Sequence, residues 1–312
     1  MKSALIVGSG GQDGQLLLRR LQAENYRVLG IARDSVHAEH ASRFARIDIL
    51  DSAQVRTVVA ETNPDEIYYL AAFHHSSEAF PASDVARFWQ RSFDVHVNGL
   101  LHVLEAMRLH APRSRLFYAA SSRVFGDVSS GTQNELTPLQ PQCIYGITKT
   151  AGLHSVRFYR REHSLFAAGG ILYNHESGLR AEKFVSQKIV RGALRIKRGQ
   201  QERLTVGDLS ARADWGYAPD FVDAMRAILN LDAADDFVVA TGETHSVQEL
   251  VEAAFGVLGL DWRAYVDEKP SLIARRRPNL RGDATKLRTQ TGWKPTLTFV
   301  QMVERLVEES GE

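Results

Sequence analysis

The chain has 312 residues, 44% of them hydrophobic, with 38 lysines and arginines against 37 aspartates and glutamates, a formal net charge of +1. This length suits a large core and two unequal lobes, and the near balance of charge gives no bulk attraction to nucleic acid or to an anionic membrane. Cys143 is the only cysteine, which excludes an internal disulfide framework and fits a reducing cytoplasm. With no His or Cys at ligand spacing, it is expected to be a packing residue. No apolar stretch approaches the ~18 residues of a membrane span. The run after Met1-Lys2-Ser3 is too short for the apolar region of a signal peptide, and glycines follow it at once. It is therefore expected to be the first strand of a soluble, cytoplasmic protein.

That strand, Ala4-Leu5-Ile6-Val7, leads into Gly8-Ser9-Gly10-Gly11-Gln12-Asp13-Gly14 and then a helical pattern with Leu16, Leu17, Leu18 and Leu21 on its buried side. Gly8, Gly11 and Gly14 form G-x-x-G-x-x-G between strand and helix. Glycine there allows a tight turn, close approach of a pyrophosphate to backbone N–H groups, and tight packing of helix on strand. With Gln12 and Asp13, these glycines are the first expected dinucleotide contacts. The second strand, Tyr26 to Ala32, ends in Arg33-Asp34. An arginine suits a ribose 2′-phosphate and a carboxylate suits a free 2′-hydroxyl, so Arg33 favours NADP while Asp34 keeps NAD open. Arg46-Ile47-Asp48-Ile49 reads as a third strand, with Asp48 and Ile49 flanking the adenine. Glu66 to Ala72 reads as a fourth, its last residues Leu70, Ala71 and Ala72 closing on the cofactor before Phe73-His74-His75-Ser76. Sequence neighbours seldom chelate one ion, so the two histidines are read as the cleft rim and no metal is expected. One long helix is expected over Ser83–His110.

Arg115 to Ala120 reads as a buried strand that delivers Ser121 at its C-terminal end, where open parallel sheets bind ligands. Ser121-Ser122-Arg123-Val124-Phe125-Gly126 follows, and then a helix over Tyr145–Glu162 with Tyr145 and Lys149 four apart on one face. A serine, a tyrosine and a lysine so placed hold an alcohol or carbonyl and move its proton. Tyrosine alone, with a pKa of about 10, is too weak a base at neutral pH. A neighbouring lysine charge favours the phenolate. Y-x-x-x-K also occurs on ordinary amphipathic helices; the glycine turn upstream gives it weight. Ala167 to Tyr173 is a further strand, with Tyr173 at the cofactor. Strands and helices alternate throughout, which argues for a parallel sheet covered on both faces.

From Asn174 the alternation breaks. A basic helix over Phe184–Gly199, with Lys183, Lys188, Arg191, Arg195, Lys197 and Arg198, reads first as a solvated face and second as a surface toward a substrate diphosphate. Asp214-Trp215-Gly216-Tyr217 precedes a helix over Phe221–Leu231, and Phe237 to Gly242 reads as a late strand. Ser246-Val247-Gln248-Glu249 is a capping box. Arg275-Arg276-Arg277-Pro278 is a positive cluster suited to an anionic ligand or to no ligand at all, and a last helix starts near Leu297.

The glycine turn, Ser121 five residues before Gly126, and Tyr145-x-x-x-Lys149 together resemble an extended short-chain dehydrogenase/reductase. The likeness is closer to the GDP-mannose 4,6-dehydratase family. Gly11-Gln12-Asp13-Gly14, Ile171 to Ser177, Asp214-Trp215-Gly216, Ala240-Thr241-Gly242-Glu243 with His245-Ser246-Val247, and Gly282-Asp283-Ala284-Thr285-Lys286 follow its pattern. The resemblance covers nearly the whole chain. It implies an α/β fold, a Rossmann doubly wound parallel sheet over residues 1–173 that binds NADP(H), with a returning segment near 213–245. Residues 174–212 and 246–312 would form a smaller C-terminal α/β lobe for a nucleotide sugar, GDP-linked. It also implies hydride chemistry at C4 of the hexose, with Ser121, Tyr145 and Lys149 catalytic and Tyr145 and Lys149 touching the cofactor. Asn174 and Lys188 would contact substrate and Arg277 the nucleotide or diphosphate; His75, Ser122, Glu176 and Arg212 complete the expected substrate set.

Three departures qualify the resemblance. The dehydratases carry a glutamate two residues after the triad Ser/Thr, where this chain has Arg123. They carry an arginine directly before Asp-Trp-Gly, where this chain has Ala213 preceded by Arg212. Their long, arginine-rich segment after the second strand, used in tetramer contacts, is short here. In dehydration the glutamate removes the C5 proton once C4 is a ketone. Arginine, with a pKa above about 12, cannot act as that base at neutral pH. The expectation is therefore a 4-keto reductase, like the related GDP-4-keto-6-deoxymannose reductases. The alternatives are a dehydratase using Glu176, His74 or His75 as base, and an idle nucleotide-sugar or NADP sensor. A homodimer through the helices near Ser83–His110 and Tyr145–Glu162 is expected, with Val103, Leu104, Met107 and Phe158 facing the partner.

Overall fold

Short apolar runs separated by helical patterns fold as parallel strands because helices can bury both faces of the sheet. The computed structural model describes residues 1–32, 36–37, 47–74, 84–128, 131–273 and 279–311. Arg33, Asp34, His75 and the cluster around Arg277 lie outside the described residues. Among those described, seven strands form the main sheet: Ser3–Val7 (β1), Arg27–Ile31 (β2), Val36–His37 (β3), Glu66–Tyr69 (β4), Arg115–Ala119 (β5), Phe166–Leu172 (β6) and Asp236–Val239 (β7). Their order is β7-β6-β5-β4-β1-β2-β3. All neighbours are parallel except β3, which runs antiparallel to β2. From β1 the chain moves outward to β2 and β3, then returns to β4 on the other side of β1. This reversal is a topological switch point, the place where such sheets bind ligands.

Right-handed crossovers on the two sides of that point put helices on opposite faces. Gln12–Ala23 (α1) lies between β1 and β2, and Ser52–Thr62 (α2) between β3 and β4. Val85–Phe93 (α3) and Gly99–His110 (α4) precede β5, and Ile144–His163 (α5) precedes β6. Val185–Lys197 (α6), Ala218–Leu229 (α7), Val247–Val257 (α8), Thr285–Thr291 (α9) and Phe299–Gly311 (α10) complete the set. On one side α2, α4 and α5 pack in succession; on the other α1, α7 and α9 do so. A second core forms where α6, α8 and α10 meet, around Ile189, Leu250, Phe255, Met302 and Leu306. Leu280, Ala284, Leu287 and Trp293 pack instead with the core of the main sheet, although the sequence reading gives their stretch to the second lobe. No helix among the described residues is long and apolar enough to cross a membrane.

Three sequence expectations change. Ile47 and Asp48 are not a strand, and Ile49 and Leu50 form a turn. Asp48 accepts the Leu50 N–H at 2.9 Å and Asp51 caps α2 through the Ala53 and Gln54 amides, so short carboxylates win the backbone for turn and cap. The long helix begins at Val85, after Asp84 as N-cap, and is interrupted by a π-helical segment, Asp94–Asn98, between α3 and α4. Val103, Leu104 and Met107 are fully buried in the protomer's own core, while Phe158 remains 47% exposed. Only Phe158 of that set is free to face a partner.

Asp214 explains one motif physically. It is fully buried and accepts four hydrogen bonds, from Thr241 N (3.0 Å), Thr241 Oγ1 (2.6 Å), Gly242 N (3.0 Å) and Gly282 N (3.2 Å). One carboxylate thereby ties three distant motifs together, and burial pushes its pKa up against those donors. Asp214→Asn turns an NH2 group toward backbone donors and is expected to lower stability by about 2–3 kcal/mol. Chemical unfolding measures this, and an unchanged midpoint would refute the assignment.

Candidate active site

The parallel registers bring Val7, Ile31 and Tyr69 level, with Tyr118 beside Tyr69. The residues just beyond them line a cleft of ≈ 1600 Å³. Its floor is the glycine turn. A Cβ on Gly8, where φ is +98°, would lie 2.7 Å from Ala71 N, and one on Gly14 would lie 2.3 Å from Gly8 O. Only glycine fits both positions, and α1 is thereby drawn against the strand ends. Gly11 caps α1 without a side-chain hydrogen bond, so its first-turn N–H groups point at the cleft as an anion site. Ser9 Oγ is buried with no partner among the described residues. These groups fit the pyrophosphate of a dinucleotide. Gly8, Gly11, Gln12, Asp13, Gly14, Asp48, Ile49, Leu70, Ala71, Ala72 and Tyr173 all border the cleft. Gln12 spends its amide elsewhere, donating to His175 O at 3.1 Å and accepting from Ser177 Oγ at 2.9 Å.

At the other end, Ser121 caps a short 3-10 turn, Ser122–Phe125, its Oγ accepting from Arg123 N at 3.3 Å. That turn packs against the start of α5 so tightly that a Cβ on Gly146 would lie 2.5 Å from Arg123 O. Ser121, Ser122, Arg123, Tyr145, Lys149 and Asn174 therefore meet along one wall. Lys149 is buried and donates from Nζ to Ala119 O at 2.7 Å. Burial pulls its pKa down to about 7, against the Asp13 charge. Tyr145 moves the opposite way, pushed up by burial while the charges of Arg180 and Arg123 oppose the shift. The sequence reading has Lys149 lowering Tyr145. In this structure the Lys149 ammonium lies 5.8 Å from the ring centroid, burial dominates, and the opposing cations are the two arginines.

A family model described as GDP-mannose 4,6 dehydratase matches residues 5–306. The chain belongs to the GDP-mannose 4,6-dehydratase family. It is 37% identical to GDP-mannose 4,6 dehydratase 2 of Arabidopsis thaliana, covering 100% of this chain and 87% of that one. It is 34% identical to the Homo sapiens GDP-mannose 4,6 dehydratase, covering 99% and 91%. Among solved structures, RMD from Pseudomonas aeruginosa complexed with NADPH superposes with TM-score 0.84 at 21% identity, covering 100% of this chain and 99% of that one. Thermus thermophilus UDP-glucose 4-epimerase in complex with NAD gives 0.80 at 21%, covering 98% of each. At that identity the likeness establishes the fold alone: a Rossmann-type doubly wound sheet.

The substrate residues carried over from the dehydratase family divide. Ser122 and Asn174 border the cleft. Glu176 does not; it is buried, accepting from Ser186 Oγ at 2.6 Å and facing Arg180 at 3.4 Å. Arg212 holds Glu249 at 3.1 Å and Thr244 O at 2.6 Å, and neither it nor Lys188 borders the cleft. Lys183, just before α6, does border it, whereas Arg191, Arg195 and Arg198 are engaged by Gln187, by Glu182 and Gln201, and by Gly311 O. His74 also borders it, its ring 4.6 Å from that of Tyr145. The described residues include no group of three or more His, Cys, Asp or Glu able to hold a metal.

Sequence reasoning missed the contact between the lobes. His175 Nδ1 lies 2.7 Å from Tyr173 O, and Nε2 lies 3.0 Å from Asp13 Oδ2. A carbonyl and a carboxylate both accept, so both ring nitrogens carry protons and His175 is an imidazolium. Burial opposes both charges, yet the pair holds Asp13 at about 2 and raises His175. Asp13's share of stability is present above its ordinary 3.8 and is lost as pH falls toward about 2. His175's share is full below its ordinary 6.5 and is lost as pH rises through its raised value. The stability advantage of wild type over Asp13→Asn should therefore shrink as pH climbs above the ordinary histidine value of 6.5 in chemical unfolding. An advantage constant over that range would rule out the imidazolium.

Proposed function

We propose that this protein is an NADP(H)-dependent enzyme acting at C4 of a GDP-linked hexose, as a reductase of a 4-keto-6-deoxy sugar. The observation that carries this reading is the charge beside Tyr145. Arg123 borders the cleft where the family resemblance places the C5 base, and its charge acts on the tyrosine. Among the described residues the cleft's carboxylates are Asp13, Asp48 and Asp94. Asp13, at about 2 and bound to His175, is too weak a base. Asp48 accepts from Leu50 N and Asp94 from Asn98 Nδ2, and Glu176 faces away.

A nicotinamide dinucleotide held by the glycine turn would supply the hydride. Reduction asks the protein to give a proton to the C4 oxygen, and burial keeps the Tyr145 hydroxyl protonated for that donation. Ser121 supplies a second hydroxyl to the same oxygen, and the charges of Arg180 and Arg123 favour the phenolate left behind. NADP is preferred on the strength of Arg33, and the P. aeruginosa relative's NADPH supports it; NAD is the alternative, as in the T. thermophilus epimerase. A cytoplasmic homodimer is part of the reading. The exposed Leu109 on α4 and Phe158 on α5 offer its contact, and a monomeric mass in solution would defeat it.

Identity of 34–37% to proteins named dehydratases favours a second reading, 4,6-dehydration with another base. His74 is the described candidate that reaches the cleft. Incubation with NADPH and a GDP-4-keto-6-deoxyhexose decides: cofactor oxidation is expected. Conversion of GDP-mannose to a 4-keto-6-deoxy product without net cofactor consumption would establish dehydration instead. Tyr145→Phe should cut turnover by about 10²–10⁴-fold while leaving cofactor binding intact. A wild type with no activity to lose would support a nucleotide-binding sensor. Arg123→Glu is expected to confer dehydration on GDP-mannose, measured as 4-keto product.

A further inference from the structure

His96 lies in the π-helical segment Asp94–Asn98, fully buried behind the cleft wall. Its two nitrogens are assigned by their partners. Phe73 N–H donates to Nε2 at 2.9 Å, and a backbone amide can only donate, so Nε2 carries the lone pair. Nδ1 lies 2.7 Å from Thr148 Oγ1, whose own proton goes to Ile144 O at 2.9 Å or Tyr145 O at 3.1 Å. The hydroxyl must therefore accept from Nδ1–H. One neutral tautomer satisfies every group, and burial, with the charge of Lys149 and then of His74, keeps the ring from protonating.

The partners make this bond pattern consequential. Thr148 lies between Tyr145 and Lys149 on α5, and Phe73 precedes His74, whose ring packs on Tyr145. The His96 ring itself meets the Tyr145 ring edge-on, centroids 5.2 Å apart at 90°. The π segment is pinned in turn, with Tyr69 Oη donating to Val95 O at 2.5 Å. A regular helix would advance the same residues along a different turn, and π segments are frequent at functional sites.

We propose that His96 is a positioning residue for the reaction. As a fixed neutral Nδ1–H imidazole it bridges the strand end at Phe73 to the Tyr145–Lys149 turn of α5, and so sets where the tyrosine hydroxyl stands. This rests on Tyr145 acting as the proton donor. Misplacing a reacting group by ~1 Å can remove up to about 100-fold in rate.

His96→Ala and Thr148→Val should each lower kcat by roughly 10- to 100-fold while KM for the nucleotide sugar and cofactor Kd move less than about twofold. The double variant should be no worse than either single one, because both break one bridge. Cys143, the sole cysteine, caps α5 two residues before Tyr145, so an unchanged alkylation rate confirms that the helix start is intact. Unchanged kcat, or kcat falling together with cofactor affinity and thermal stability, overturns the proposal. Imidazole 15N spectra of the wild type test the bridge without turnover: an Nδ1–H tautomer persisting at pH 5 supports it, and titration near the ordinary ~6.5 overturns it. An inactive wild type with the expected spectrum would count against the enzymatic reading rather than the bridge.

Discussion

Three backbones converge at the end of β1, and the rest of the cleft takes its geometry from their separation. Gly8 N–H donates to Ile31 O at 2.8 Å and Leu70 N–H to Val7 O at 2.8 Å, so β1 is held on both sides up to its last residue. The missing Cβ atoms of Gly8 and Gly14 then let the Ala71 backbone and the start of α1 close on the same point. From there α1 presents its free N–H groups to the cleft and its first-turn Asp13 to His175. His175 lies in Asn174–Glu176, the short strand that pairs with Trp215–Tyr217 and opens the second lobe. The glycine turn and the Asn174–Ser177 segment are thus joined by the Asp13–His175 ion pair and by the Gln12 amide. A bulkier residue at Gly14 would shift the helix that carries both.

Burial, rather than the nearest opposite charge, governs the acid–base groups on the wall. Lys149 falls from 10.5 to about 7, which corresponds to roughly 5 kcal/mol against holding the ammonium in that environment. Against that stand the Ala119 carbonyl at 2.7 Å, the Tyr118 ring with its centroid 5.1 Å away, and the Asp13 charge. The same desolvation raises Tyr145. A site in which tyrosine stays protonated and lysine stands near neutrality suits donating a proton to a developing alkoxide better than abstracting one from an alcohol. Arg180 and Arg123, rather than the expected lysine charge, oppose the rise at Tyr145. They stabilise the phenolate by charge at a distance, which weakens less steeply than a hydrogen bond as the ring shifts.

Local geometry was legible in the sequence and long-range placement was not. The glycine turn, Ser121 at a strand end and the Tyr145–Lys149 spacing each follow from a few adjacent residues, and each stands where expected. Ser246 caps α8 through Glu249 N as its motif implies, but Glu249 turns to His245 and Arg212 rather than back to the cap. Polar neighbours outcompete the second half of a capping box. Asp48 reads as strand because Ile47 and Ile49 flank it; what decides is the hydrogen bonding of two aspartates to nearby amides. Val103, Leu104 and Met107 fit either an interface or a core, and composition cannot separate those outcomes. His96 gives no signal at all, since its role depends on Phe73 and Thr148, far away in the chain.

Glu176 and Arg123 illustrate why a shared motif does not fix a shared reaction. Glu176 belongs to a segment that follows the dehydratase pattern, yet its carboxylate is satisfied by Ser186 and Arg180 beneath the cleft. Its role is to hold the start of α6 and the cationic side chain of Arg180, so its presence says nothing about proton abstraction. Arg123 departs from the pattern but keeps its backbone role: its amide donates to Ser121 Oγ, and its carbonyl seats Gly146. Ser121 and Tyr145 therefore stay in register whatever side chain occupies that position. On the proposed reading, exchanging carboxylate for guanidinium there removes a base from one step and leaves the C4 proton transfer intact. The scaffold tolerates the change because it is held together by backbone atoms and the chemistry by side chains.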